Sequence, residues 1–277
     1  MSQKTEHPQA RAESANLRVL VAEDNALNQD VTRRVLERAG YIVDIVSDGT
    51  AALSALQTKA YDVALVDMMM PQVSGLDVIR IHREKAGGDN RLPFIVLTAN
   101  STAEAAKLAM EAGADAYLTK PVQGKKLRTT IEAVVAGNGG PMPKNQNSAK
   151  VGSSSLDEPA LIDSAALNET LLLIPDPGDL AAFMDRFCSD TEGLIAQMHA
   201  AANAAQWGEL NDLAHALKGS AAYLGGVELA AAAERVQRAD GVQLPTASRQ
   251  HLREIEDIYQ RTRAELLRRM AAFSASS

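Results

Sequence analysis

The chain has 277 residues, 46% hydrophobic and 23% charged, with a formal net charge of −7, a balance that fits globular protein long enough for two domains. The acidic sign argues against a nucleic-acid footprint, which needs clustered lysine and arginine, and a lone cysteine, Cys188, excludes an internal disulfide and fits a reducing, cytoplasmic setting. No apolar run reaches the length of a membrane span, and the polar opening does not read as a signal peptide, so a soluble protein without membrane insertion is expected.

Residues 1–16 are polar and aperiodic and read as a disordered lead-in. From Arg18 onward, short β-branched apolar runs alternate with helical periodicity. Strands are predicted near 18–22, 42–46, 62–66, 93–98 and 115–118, with helices near 26–39, 49–59, 75–85, 101–112 and 123–136. That alternation specifies an α/β, doubly wound parallel sheet covered on both faces. Gly40 and Gly113 are candidate C-caps and Asp48 a candidate N-cap, while Asn25 and Asn28 are candidates only for capping the first helix. The loop 86–90 has no predicted length. Residues 137–155, rich in Gly, Pro, Asn and Ser, read as a flexible linker between a domain at 17–136 and another at 156–273. Past Leu156 no strand pattern recurs. Helices near 163–172, 178–203, 207–224, 226–239 and 246–272, with turns at Pro175–Gly178 and Gly225–Gly226, predict an all-α antiparallel bundle.

The third strand delivers one carboxylate, Asp67, where it should end, and Pro71 and Gly75 then shape the following loop. Asp67 either caps the next helix or sits where an open α/β sheet binds its ligands, at the carboxyl ends of strands. The other strand ends bear on this choice: the first runs into Glu23-Asp24, the fourth into Thr98, the fifth into Thr119-Lys120-Pro121. With the D-x-x-x-P-x-x-x-G spacing and the Lys-Pro pair, residues 17–136 resemble the receiver domain of two-component response regulators, a flavodoxin-like fold. The resemblance implies that Asp67 accepts a phosphoryl group and that Mg²⁺ is held by Asp24, Asp67 and the Met69 carbonyl, with Glu23 acting through water. It further implies that Lys120 and Thr98 contact the phosphoryl group, that Tyr117 is a switch aromatic, that Lys120–Pro121 is a cis peptide, and that Met69 and Asn100 flank the path of the hydrolytic water. Lys120 is expected at the mouth of the site, outside core packing.

In the helical half, Leu210, Leu213, Leu217 and Leu224 form one stripe with Ala214 and Ala221 beside it, and His215 falls near 140° from Leu210 at about 100° per residue, pointing away from the core. A glycine inside a helix costs about 1 kcal/mol against alanine, so Gly219 asks for a reason such as close approach by another molecule. The His215-x-x-Lys218-Gly219-Ser220 motif resembles that of histidine phosphotransfer (HPt) domains. By that resemblance His215 is a phosphoacceptor, Lys218 pairs with its phosphate, and Gly219 clears space for a docking receiver. No ATP-binding fold or DNA-binding output domain is visible. The chain therefore reads as a phosphorelay intermediate, not an enzyme in the kinase sense, whose partners are an upstream histidine kinase and a downstream response regulator receiver. Three alternatives stay open: the C-terminal portion of a hybrid sensor kinase, a phosphorylation-gated binding module, and a phosphate sink.

Overall fold

The computed structural model describes residues 16–85, 91–99, 102–137, 160–174, 176–238 and 244–274. The lead-in 1–15, the loop 86–90, Asn100 and residues 138–159, which hold most of the predicted linker, lie outside the described residues. The chain divides into two compact units between Lys150 and Val151.

The first unit alternates β1 (Arg18–Ala22), α1 (Ala26–Arg38), β2 (Ile42–Val46), α2 (Gly49–Thr58), β3 (Val63–Asp67), α3 (Gly75–Lys85), β4 (Phe94–Thr98), α4 (Ala103–Glu111), β5 (Ala116–Thr119) and α5 (Gly124–Val135). The five strands are parallel in the order β2-β1-β3-β4-β5. Every residue of the apolar runs β3 and β4 is buried, as a strand covered on both faces requires, whereas the edge strand β2 is half-exposed. The order of the sheet reverses between β1 and β3, the crevice where such folds bind their ligands.

Three strands begin one residue later than the sequence reading has them, β3, β4 (at Phe94) and β5, and for β3 and β5 the difference traces to an aspartate. Asp62 precedes β3 and its carboxylate accepts from the Arg18 N–H at 2.6 Å, so the strand begins one residue later and includes Asp67. Asp115 likewise precedes β5. It accepts from the Phe94 N–H at 2.9 Å and pairs with Arg83 at 2.8 Å. Helix α4 starts at Ala103, capped by Thr102, whose hydroxyl accepts from the Ala105 N–H. Asn25 and Asp48 cap α1 and α2 as expected, and Gly40 and Gly113 take the left-handed φ values, 91° and 97°, that favour glycine.

The second unit comprises α6 (Ser164–Leu173), α7 (Pro177–Asn203), α8 (Trp207–Tyr223), α9 (Val227–Arg238) and α10 (Leu244–Ser274). Helix α7 begins at Pro177, with Asp176 as its cap accepting from the Gly178 and Asp179 N–H groups at 2.9 Å each. Proline is well placed there because the first-turn N–H it lacks would have no partner inside the helix. Cross-helix pairs set the directions: Tyr259 with Glu192 and Glu256 with His199 run α10 against α7, while Arg235–Glu254 and Arg261–Glu228 run it against α9. Leu210, Ala214, Leu217, Ala221 and Leu224 are buried in the bundle, and Leu213 is half-buried. Gly225, at φ 68°, turns the chain from α8 to α9. A Cβ there would meet the Asp163 carbonyl at 2.4 Å, and the Asp163 N–H donates to Gly225 at 2.7 Å, tying this turn to the start of α6.

Candidate functional site

The sheet register brings the first site together. Ala22 lies beside Val66, so Glu23 and Asp67 are the next residues on neighbouring strands, and Thr98 lies beside Thr119, so Lys120 follows at the same level. The Lys120 N–H donates to the Thr98 carbonyl at 2.7 Å, which continues the ladder to the site's edge. Glu23, Asp67 and Thr98 are at most 2% exposed, whereas Asp24 stands exposed at the rim. Carboxylate oxygens of Glu23, Asp24 and Asp67 lie within 4.8 Å of one another.

Lys120 is not at the mouth, where the sequence places it. Its side chain is 2% exposed, and Nζ donates to Glu23 Oε2 at 2.5 Å and to Asp67 Oδ2 at 2.6 Å. Burial is the reason: two desolvated carboxylates at the strand ends draw the neighbouring ammonium inward. Asp67 Oδ1 accepts from the Met69 N–H at 3.2 Å, while the Met69 side chain is 40% exposed. Burial, ahead of the opposing pull of Lys120, pushes the Glu23 carboxyl up to about 7, and desolvation followed by the Asp67 charge pushes Asp24 up to about 6. The cluster thus resists carrying its full negative charge, and its donors are hard oxygens of the kind a small divalent cation prefers.

Asp67 does not cap the next helix. Ser74 does, accepting from the Asp77 N–H at 3.2 Å and donating to its carboxylate at 2.6 Å. Gly75 permits a close approach, since a Cβ there would stand 2.0 Å from the Asp67 carbonyl oxygen, so helix α3 starts in contact with the backbone of Asp67. Gly75→Ala is expected to destabilise the first unit by about 1–3 kcal/mol, the usual cost of overpacking, and to displace the backbone of Asp67. Urea unfolding checks this, and a fully stable variant would contradict it.

Tyr117, 9% exposed, faces inward and packs in the core cluster that includes Ala105, Ala106 and Ala109 of α4. The Lys120–Pro121 peptide is cis.

The second site lies on α8. His215 is half-buried instead of pointing fully outward, because α9 packs beside it: Gln237 Nε2 lies 3.4 Å from His215 Nδ1. Lys218 is 14% exposed, with Nζ 3.3 Å from Glu234 of α9. Gly219 is buried. A helical side chain leans back over the preceding turn, so any side chain at Gly219 would lie over His215.

Sequence reasoning missed Asn28, Gln29, Glu234 and Gln237. Asn28 Nδ2 donates to Glu23 Oε1 at 2.9 Å, and Gln29 Nε2 donates to the Glu23 carbonyl at 2.6 Å. A signal for Asn28 was present: it occupies the buried stripe of α1 with Val31, Thr32 and Val35, a polar side chain at apolar spacing. Gln237 lies 22 residues from His215, and no local pattern links them.

Residues 19–132 match the family model of the response regulator receiver domain, and residues 182–265 match that of the Hpt domain. The chain therefore belongs to the proteins that join a receiver domain to an HPt domain, the pairing of two-component phosphorelay signalling, and neither matched domain is a kinase domain. It is 31% identical over 229 residues to the sensory/regulatory protein RpfC of Xanthomonas campestris, an alignment that covers 82% of this chain and 31% of RpfC. The chain thus spans about a third of that relative's length. A probable histidine kinase of Oryza sativa is 31% identical over 149 residues, covering 43% of this chain and 15% of that protein. Among solved structures, the receiver domain of a sensor histidine kinase from Pseudomonas aeruginosa is 31% identical, covers 44% of this chain and 99% of its own, and has a TM-score of 0.41. Among the described residues no helix is long and apolar enough to cross a membrane.

Proposed function

We propose that the chain accepts a phosphoryl group on Asp67 and relays it through His215 to the aspartate of a downstream receiver. The observation that carries this reading is the placement of Asp67, buried at a strand end, between two further carboxylates and the ammonium of Lys120. In the first step an oxygen of Asp67 attacks the phosphorus of a donor phosphoimidazole. The P–O bond forms as the P–N bond breaks, and the departing imidazole takes up a proton. In the second, a ring nitrogen of His215 attacks the acyl phosphate, and Asp67 leaves as a carboxylate. Both steps need the donor in line and the oxygens of the transferring group neutralised.

Glu23, Asp24, Asp67 and the Met69 carbonyl would hold Mg²⁺, which supplies positive charge to the phosphoryl oxygens when bound. Lys120, already at Asp67, supplies a second charge by turning from the carboxylate to the incoming phosphoryl group. Thr98 donates its hydroxyl to that group, and Tyr117 reports the change through the α4 side of the core. Small-molecule phosphodonors should give a hydroxylamine-labile label on the chain in Mg²⁺ and none in excess EDTA, and labelling in EDTA would overturn the cation reading.

In the HPt domain Gln237 sets the ring. A half-turn of its amide presents the carbonyl to Nδ1–H, which leaves the proton on Nδ1 and the electron pair on Nε2, the nitrogen that attacks. Lys218 exchanges Glu234 for the phosphate, and Gly219 leaves room for the donor receiver. Gln237→Leu is expected to slow phosphoryl transfer to His215 about tenfold, by analogy with lost outer partners of metal-ligating histidines, while the bundle keeps its melting temperature. Single-turnover transfer kinetics check this.

A second reading rests on the RpfC alignment, in which this chain corresponds to 31% of the relative. The same two domains would then work as the C-terminal portion of a hybrid sensor kinase, receiving the phosphoryl group from a kinase region of the same polypeptide. The sequence of the surrounding reading frame decides between the two.

A further inference from the structure

Asn28 is 2% exposed and lies against the acid cluster, although its sequence position suggests no more than a helix cap. It does not cap α1. Asn25 does, accepting from the Asn28 N–H at 3.0 Å, and this leaves the Asn28 side chain free to act elsewhere. Its Nδ2 donates to Glu23 Oε1 at 2.9 Å, and its Oδ1 is buried without a hydrogen-bond partner among the described residues. The orientation of the amide follows from chemistry, since a carboxylate oxygen pairs with NH₂ and not with a carbonyl. An orphaned buried acceptor is costly, and native proteins satisfy nearly all of them with protein or water.

The two halves of the amide fit one purpose. Glu23 has no exposed surface, and its carboxylate is gripped from both sides, Oε1 by Asn28 and Oε2 by Lys120, while Gln29 Nε2 fixes its backbone carbonyl at 2.6 Å. When Lys120 turns toward an incoming phosphoryl group, Asn28 remains as the side-chain donor that keeps the Glu23 carboxylate aimed at Asp24 and Asp67. Oδ1 meanwhile is an acceptor that a water can fill, and small divalent cations bound by few carboxylates keep several waters.

Resting on the reading above that Glu23, Asp24 and Asp67 hold a divalent cation, we infer that Asn28 is a positioning residue for that cation: its NH₂ orients Glu23 and its carbonyl accepts from a water of the cation's shell. Partners that orient ligands in this way are commonly worth about ten- to a hundredfold in metal affinity.

The test is calorimetric titration of Mg²⁺ into the full-length chain stripped with EDTA, well below its melting temperature. Wild type should bind. Asn28→Leu, which keeps the branched outline and removes donor and acceptor, should weaken binding about tenfold or more. Asn28→Ser, smaller and polar, is read in the same way should the leucine variant fail to fold. A merely structural role would lower the melting temperature in EDTA and leave the affinity of the folded protein unchanged, so affinities within about twofold of wild type overturn the inference whatever the melts show, being well short of the tenfold loss expected. In wild type, the Asn28 side-chain NH₂ resonances should move on Mg²⁺ addition, a readout independent of any substitution, and resonances that stay fixed while Mg²⁺ binds would also overturn it. A wild type that binds no Mg²⁺ would instead defeat the cation reading, so the two failures are distinguishable.

Discussion

Lys120→Ala, measured in EDTA, should cost the receiver domain about 3–5 kcal/mol, the usual result of removing one partner from a buried ion pair. The sequence alone suggests the opposite, a mouth-side lysine whose loss changes little. The structure reverses this expectation because the Lys120 side chain is 2% exposed and its ammonium bridges Glu23 and Asp67, whose side chains are 0% and 3% exposed. Without it, two desolvated carboxylates face each other at a depth that bulk water does not reach. Burial already pushes Glu23 up to about 7, and removing Lys120, a group that pulls it down, drives proton uptake there. That uptake limits the loss but also removes a negative charge from the acid cluster. Mg²⁺ should restore part of the stability without restoring the response of partner proteins at equal phosphorylation, since the charge that moves with the phosphoryl group is gone. Denaturant unfolding in EDTA and in Mg²⁺ checks both arms. Unchanged stability in EDTA would mean that Lys120 contributes nothing to holding the acid cluster.

The second large effect is the loss of labelling in Asp67→Asn. The amide fills the same volume and its single oxygen can still accept from Lys120 in the place of Oδ2, giving up the weaker 3.2 Å bond that Oδ1 accepts from the Met69 N–H, so the receiver should stay folded. An amide oxygen is not a competent nucleophile toward phosphorus, and labelling by small-molecule donors should fall to background. Persistent hydroxylamine-labile label would move the acceptor to Asp24 or Glu23, the other carboxylates within 4.8 Å.

The architecture was legible because each level of the sequence agreed with the next. Short β-branched runs alternating with helical periodicity can be satisfied only by a covered parallel sheet, and the register of such a sheet carries Glu23, Asp67, Thr98 and Lys120 to one edge. What stayed hidden depended on depth and on pairs distant in sequence. A lysine after a strand reads as solvated until one knows that its partners, 53 and 97 residues away, are buried. Helical periodicity placed His215 off the core stripe of α8, yet it could not show that α9 would bring Gln237 and Glu234 against the same face. Gly75 was legible as a loop breaker, but its closeness to the Asp67 carbonyl is a property of the folded loop.

The most direct test of the relay is to load the full-length chain at Asp67 with a small-molecule donor, remove the donor, and follow the label by its chemistry. The hydroxylamine-labile acyl phosphate should decline as an acid-labile, base-stable phosphoimidazole rises. His215→Gln should abolish the second form and leave loading of Asp67 intact. Label that leaves Asp67 only as inorganic phosphate, or a base-stable form that survives His215→Gln, would contradict the relay.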